Sequence, residues 1–297
     1  MKLTCPKLSK LIWLFNSSGF KSSPLKTILR LIGWEYHRIF NKAILAKFDR
    51  SLQLWLYPND GVGRLTYYFG YHEPEIFRFL DNYICDGMVF LDVGANIGAY
   101  SLFAAKRVSP GGKVYAFEPQ HETFARLIHN IELNEFDNII AEHCAVGCTE
   151  GEVEIVKDSD TAKSYVKSFA LLEGDNQLER CPVATIDGCL GHGSVERVDY
   201  LKIDVEGVEY NVLKGGENFI KKHVPSIIQV ELFDDLLCRS GSSVAKVCEL
   251  LEIFGYRCYE LSEKQIKLVP IPFGQQSSGD TFWIHKSRRG ELREFII

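Results

Sequence analysis

Long apolar runs are missing from this 297-residue chain. No stretch approaches the ~20 residues that a membrane-crossing helix needs, so no transmembrane segment is expected. The apolar run Leu11-Ile12-Trp13-Leu14-Phe15 follows the lysine-bearing segment Met1–Lys10, but it is shorter than the roughly 7–15 residues of a signal-peptide core. The expected location is cytoplasmic. Paired cysteine spacing is also missing. The nine cysteines are an odd number without a regular framework, and Cys144 and Cys148 have no second pair at metal-site spacing. This argues against a disulfide scaffold or a zinc centre and for free thiols in a reducing compartment; no metal ligands are assigned. A strong charge of either sign is absent too. A net charge of −5 and a pI near 5.9 argue against a protein whose task is to grip nucleic acid phosphates. No internal repeat is evident. What remains, 46% hydrophobic and 25% charged residues, is the composition of an ordinary globular protein.

The N-terminal part reads as helical. After Ser23-Pro24, the residues Leu25, Ile28, Leu29, Ile32, Tyr36, Ile39 and Phe40 recur at helical spacing, with lysines and arginines on the other face. Residues 1–56 are therefore expected to form a helical extension. It is either a cap packed on the main domain or a surface for a membrane or partner chain. Residues 57–297 form the main domain, with a turn at Pro58-Asn59-Asp60-Gly61 and a helix opening at Pro74. From there strands and helices alternate, which predicts an α/β fold with a mostly parallel sheet covered by helices on both faces. The expected elements include helices over 120–134, 208–222 and 243–254 and strands at Ile139–Val146, Tyr200–Gly207, Ser226–Leu232, Tyr256–Leu261 and Thr281–His285. The polar stretch 157–180 is weakly periodic.

The centre of the chain carries the chemistry. The apolar run Phe90-Leu91 ends in Asp92, breaks into the loop Gly94-Ala95-Asn96-Ile97-Gly98, and resumes as a helix. The next apolar run, Lys113–Phe117, ends in Glu118. Strand, glycine turn, helix, strand and acid is the plan of a nucleoside-binding βαβ unit. The glycines let backbone approach a ligand, the helix N-terminus offers amides to an anionic group, and the acid accepts from ribose hydroxyls. Asn96 stands where the Gly-x-Gly-x-x-Gly fingerprint has its second glycine. A pyrophosphate demands closer backbone approach than a carboxylate does, so a ligand with a ribose but no phosphate fits better. S-adenosyl-L-methionine is the obvious candidate. Asp92 would face its ammonium directly or through water, the amides of Asn96 to Gly98 its carboxylate, and Glu118 its ribose. Adenine would lie near Ala145, while Glu73 and Tyr71 would either close over the cofactor or pin a covering helix.

These segments, together with Glu118-Pro119, Thr185-Ile186-Asp187, Lys202-Ile-Asp-Val-Glu-Gly-Val-Glu209 and Leu213-Lys214-Gly215-Gly216, resemble the FkbM family of S-adenosylmethionine-dependent methyltransferases over about residues 73–233. The resemblance implies a Rossmann-like class I methyltransferase fold whose last strand enters antiparallel, and O-methylation of a hydroxyl on a sugar, glycan or small metabolite. It says little about the first 56 residues.

Period-two spacing puts Lys202, Asp204 and Glu206 on one side if their strand persists that far, and the ligand crevice of such a sheet lies at the strands' carboxyl ends. These three are the catalytic candidates. Asp204 has three competing roles: general base for the acceptor hydroxyl, metal ligand together with Glu231, or hydrogen-bonding group for substrate or cofactor. Lys202 reads as a salt-bridge partner of the carboxylates, and Glu206 and Glu209 as acids at a helix N-terminus. The isolated His72, His121, His143 and His285 read as packing residues. Tyr67, Tyr68, Phe69, Tyr71 and 157–180 are candidates for lining the acceptor site. No Asn-Pro-Pro-Tyr-like segment follows the fourth strand, which favours an oxygen acceptor. Two other functions are compatible with the fold: a non-catalytic binding scaffold, and an NAD-dependent oxidoreductase, for which Asn96 is awkward. Oligomeric state is not readable.

Overall fold

The structure, a computed structural model, describes residues 24–156, 165–166, 178–190, 195, 197–272, 275 and 277–297. The chain divides into two compact units, Met1–Pro74 and Glu75–Ile297.

In the first unit, helix α1 (Pro24–Ile39) is followed by strands β1 (Ile44–Lys47) and β2 (Gln53–Leu56) and helix α2 (Gly61–Phe69). The helix falls where the periodicity placed it. Residues 44–56, expected to be helical, instead form an antiparallel hairpin in which Ile44 faces Leu56 and Ala46 faces Leu54. The reason is visible in the pattern Gln53-Leu54-Trp55-Leu56, which alternates between buried and half-buried positions with a period of two. Asp60 caps α2 by accepting from the Val62 amide at 3.0 Å, one of the donors a helix start leaves unpaired. Trp34, 1% exposed, packs α1 onto Tyr67 and Tyr68 of α2.

The second unit contains α3 (Pro74–Tyr83), β3 (Val89–Val93), α4 (Ala99–Val108), β4 (Lys113–Phe117), α5 (His121–Leu133), β5 (Ile139–Glu142), β6 (Ala145–Val146), β7 (Gly151–Val156), β8 (Tyr165–Val166), β9 (Leu178–Ala184) and α6 (Ile186–Leu190). It continues with β10 (Tyr200–Ile203), α7 (Glu209–Gly215), α8 (Glu217–His223), β11 (Ile227–Leu232), α9 (Asp234–Leu237), α10 (Val244–Ile253), β12 (Tyr256–Ser262), β13 (Lys267–Pro270) and β14 (Gly279–His285). Eight strands form the main sheet in the order β13-β12-β14-β11-β10-β3-β4-β5. Neighbours from β11 to β5 are parallel, and β14 inserts antiparallel between β11 and β12. This is the Rossmann-like class I methyltransferase fold, with the last strand reversed as expected. A second sheet, in the order β6-β9-β7-β8, branches from it. The strand expected over Ile139–Val146 is accordingly two strands in two sheets.

Both faces of the central strands β3, β4, β10 and β11 are buried, so these four are largely apolar. On one face, Phe90 and Tyr200 stack at 4.9 Å and meet aromatic residues of the covering helices, with Phe77 of α3 packed between Tyr100 and Phe103 of α4. The other face carries the large aliphatic core, in which Leu91, Val93, Leu201, Ile203, Ile228 and Val230 pack against α7, α8 and α10. The helix expected over 208–222 is two helices meeting at Gly216. A Cβ on Gly215 would lie 1.9 Å from the Gly147 carbonyl oxygen, so this junction is pressed against the second sheet's first loop. Gly215→Ala is expected to destabilise the fold by about 1–3 kcal/mol, the usual cost of overpacking. An unchanged melting temperature for the purified variant would contradict that close approach.

Candidate active site

The carboxyl ends of β4, β3 and β10 lie side by side, and strand register brings their polar residues together. Asp92 pairs with Lys202 across β3 and β10, and Lys202 with Gln229 across β10 and β11. Three polar residues thus form a row through an otherwise apolar sheet, on the face covered by α4. Lys202 is 3% exposed. Its Nζ lies 3.0 Å from Asp204 Oδ2, 3.7 Å from Asp92 Oδ1 and 4.8 Å from the centre of the Tyr100 ring. Asp92 is fully buried. Its Oδ2 accepts from Ser101 Oγ at 2.6 Å, whereas Oδ1 has no hydrogen-bond partner among the described residues. Burial raises the Asp92 carboxyl above its ordinary range, opposed by Lys202 and Ser101. Gln229 accepts from Tyr200 at 2.7 Å and donates to Asp280 at 2.8 Å.

The loop after β3 is curled by left-handed backbone at Gly94, Asn96 and Gly98, with φ of 84°, 51° and 93°. The Gly94 and Ala95 amides both donate to the Phe117 carbonyl, at 3.0 and 2.9 Å. The glycines serve packing in the first place. A Cβ on Gly94 would sit 1.8 Å from the Asp204 carbonyl oxygen, and one on Gly98 would meet Leu102 and Leu127 at 2.6 Å. The amides expected to face an anionic group already have acceptors, two within the loop and one at Glu118. Asn96 N donates to Glu118 Oε2 at 2.9 Å, Ile97 N to Asn96 Oδ1 at 2.7 Å, and Gly98 N to the Ala95 carbonyl at 2.9 Å. The curl turns them inward, so an incoming carboxylate has to compete for them.

Glu118 is 7% exposed and adjoins this loop. It also accepts from Gln120 N at 2.9 Å. Burial pushes its carboxyl up to about 7, held back by those two amides. His143 Nε2 lies 3.1 Å from the Pro119 carbonyl, and its ring stacks on Phe124 at 5.0 Å, consistent with a packing residue. Ala145 is nearly buried in the second sheet, opposite Val183.

Asp204 follows the end of β10 and keeps 39% of its side chain exposed. The alternation that would align it with Glu206 stops at Ile203, because Glu206 and Gly207 have φ of 54° and 106°. Glu206 therefore lies in a turn and does not share the strand face of Lys202. A neighbouring acid organises that turn. Glu209, 2% exposed, accepts from Gly207 N at 3.0 Å and Val205 N at 3.4 Å. Among the described residues no group of three or more histidine, cysteine or acidic side chains is placed to hold a metal ion. Glu73 and Tyr71 fall in the first unit, where Glu73 pairs with His72 at 3.1 Å and Tyr71 donates to Asp49 at 2.6 Å. Tyr67 and Tyr68 are likewise engaged there with Trp34. The segment 157–180 lies largely outside the described residues.

The Methyltransferase FkbM domain matches residues 92–258. The chain belongs to the FkbM methyltransferase family. It is similar to "Methyltransferase 1" of Beauveria bassiana, 27% identical over 58% of this chain and 73% of the relative. It is also similar to the hexuronic acid methyltransferase AglP of Haloferax volcanii, at 28% identity over 50% of this chain and 58% of the relative. A third relative is the 31-O-demethyl-FK506 methyltransferase FkbM of Streptomyces tacrolimicus, at 29% over 44% and 60%. The matched part thus spans less than two thirds of the latter two proteins. Among the described residues no helix is long and apolar enough to cross a membrane.

Within this FkbM methyltransferase, Ser101, Tyr100 and Gln229 escaped the reading of the sequence. A glutamine inside Ile227-Ile228-Gln229-Val230 was the available signal, since a polar residue in a buried strand needs partners.

Burial also pushes the Glu209 carboxyl up to about 7 from an ordinary value near 4.5. The folded state then holds more protons than the unfolded state between those values, so this group lowers stability as pH rises from about 4.5 to 7. Glu209→Gln keeps an acceptor for the two amides and removes the titration. Relative to the parent, its melting temperature is expected to match near pH 4 and to gain steadily up to pH 7. Parallel curves across that range would refute the burial argument.

Proposed function

We propose that this chain is an S-adenosyl-L-methionine-dependent O-methyltransferase whose acceptor is a hydroxyl of a sugar, a glycan or a small metabolite. The observation that carries the reading is the convergence of Asp92, Glu118 and Asp204 at the ends of three adjacent parallel strands. Together with Lys202, they make a cluster at the strand ends richer in acids than in cations. Such a cluster suits a ligand bearing a sulfonium and an ammonium. Asp92 Oδ1 has Lys202 Nζ at 3.7 Å but no hydrogen-bond partner among the described residues, so it fits an incoming donor, either the ammonium or a water bound to it. Glu118 fits the ribose, and the turn leading to Ala145 fits the adenine. Gly94, Asn96 and Gly98 shape the loop beside the amino-acid tail.

The cofactor, when bound, would supply a methyl group activated by its sulfonium, the sulfur–methyl bond breaking as the bond to the acceptor oxygen forms and S-adenosylhomocysteine departing. The chain's own residues have the remaining work of alignment, which supplies several kcal/mol in well-ordered sites. Asp204 is the exposed acid of the cluster. It accepts the hydrogen bond of the acceptor hydroxyl and takes its proton as the oxygen becomes nucleophilic. Lys202 bridges Asp204 and Asp92 and fixes the orientation of both. Glu206 acts through the turn that positions Asp204. A sugar or hydroxyl acceptor is supported by the similarity to the hexuronic acid methyltransferase and the 31-O-demethyl-FK506 methyltransferase.

Calorimetry with S-adenosylhomocysteine tests the cofactor. The parent is expected to bind, and Glu118→Ala or Asp92→Ala to bind at least tenfold more weakly while remaining folded. No binding by the parent at millimolar ligand removes the proposal. Once an acceptor is found by mass spectrometry of extracts incubated with labelled cofactor, Asp204→Asn should lower kcat by roughly 10²–10⁴. Its affinity for S-adenosylhomocysteine should be nearly unchanged. A full-rate Asp204→Asn enzyme would strip that residue of its role as base.

A further inference from the structure

The outer face of α1 takes no part in the reaction described above. Leu25, Leu29, Ile32, Tyr36 and Ile39 are 50–72% exposed. Their spacing of four and three residues lines them along one side of the helix, and Ile28 and Phe40 widen that side at 42% and 57% exposure. The helix cannot roll to hide it within its own unit. Trp34 on the opposite side is 1% exposed against Tyr67 and Tyr68, and Arg30 Nη1 donates to the Tyr68 carbonyl at 2.9 Å.

Charge says what covers this face. The first 50 residues hold ten of the chain's 34 lysines and arginines but only two of its 39 acidic residues, Glu35 and Asp49. The other 247 residues carry 24 basic against 37 acidic side chains. A basic N-terminal part is thus joined to an acidic remainder, and Lys42 and Lys47 just beyond α1 are exposed. A second helix in a coiled coil is a poorer occupant. The 16 residues of α1 make little more than two heptads, where such pairing wants about three or four, and the apolar side is broader than a coiled-coil seam. Arg30 is tied to Tyr68 and Arg38 pairs with Glu35 at 2.7 Å, so the exposed Lys42 and Lys47 supply the flanking positive charge. A wide apolar face in a basic stretch of sequence, on a helix too short to span, is the pattern of a helix lying in a bilayer interface.

We propose that α1 and the basic residues around it dock this protein on an anionic lipid bilayer, with Leu25, Leu29, Ile32, Tyr36 and Ile39 seated at the boundary between headgroups and acyl chains. The test is co-sedimentation of the 297-residue chain with vesicles of phosphatidylcholine alone or mixed with phosphatidylglycerol. The parent should sediment with the mixed vesicles, less with the neutral ones, and less again as salt is raised. The triple variant Leu29→Gln/Ile32→Gln/Ile39→Gln should lose about tenfold or more of its partitioning while keeping the parent's circular dichroism and melt. Ile32→Gln alone should show a smaller loss, and it serves if the triple variant does not fold. Absence of binding to anionic vesicles, or equal binding by parent and variants, overturns the proposal. So does a parent dimer in light scattering that the variants convert to monomer, since that assigns the face to a second copy of the chain.

Discussion

One buried ammonium organises the carboxyl edge of this sheet. Lys202 is 3% exposed and stands between Asp204 at 3.0 Å and Asp92 at 3.7 Å. A cation in that position needs both acids, and a buried pair broken on one side commonly costs about 3–5 kcal/mol. Asp204 keeps part of its surface in water, so its share of the pairing is screened and Asp92 is the firmer partner. The requirement propagates outward. Asp92 is held by Ser101 at the start of α4, which ties the helix to the strand end. Asp204 reaches the ammonium only because its own carbonyl passes where Gly94 has no side chain.

The same burial acts on the other acids with different consequences. Glu118 and Glu209 are both pushed up to about 7 by loss of solvent, and both are answered by backbone amides. Glu118 binds the loop after β3 to the end of β4. Glu209 binds the turn after β10 to the start of α7. Each therefore fastens one side of the cluster at the strand ends and leaves Asp204 as its partly exposed acid. A cluster built in this way is held by short contacts between neighbouring strand ends.

Much of the architecture was legible in the residues. The alternation of apolar runs and helical spacing located nearly every element of the main sheet, and Asp92, Glu118, Lys202 and Asp204 stood at strand ends where a ligand crevice was expected. The errors have local physical causes. The hairpin over 44–56 was hidden because its two short strands adjoin a strongly helical segment. The break at Gly216 was missed because an apolar helical pattern runs across it. Glu206 was placed beside Asp204 because alternation was carried two residues past the strand, and left-handed backbone at Glu206 and Gly207 ends it. The glycines of the first loop were read as room for a ligand; to that reading the structure adds that Gly94 makes room for the Asp204 carbonyl of the neighbouring strand end.

The sequence by itself determined the order of strands, loops and helices and the chemical types available at each strand end, because periodicity and turn chemistry act over a few residues. It also carried the family, since the discriminating segments are contiguous. Only the tertiary structure decided which of those groups meet. Register between β3, β10 and β11 aligned Asp92, Lys202 and Gln229 although they come from segments far apart in the chain. Burial then set the ionisation of Asp92, Glu118 and Glu209. Both are properties of packing between distant segments, and no local pattern encodes them.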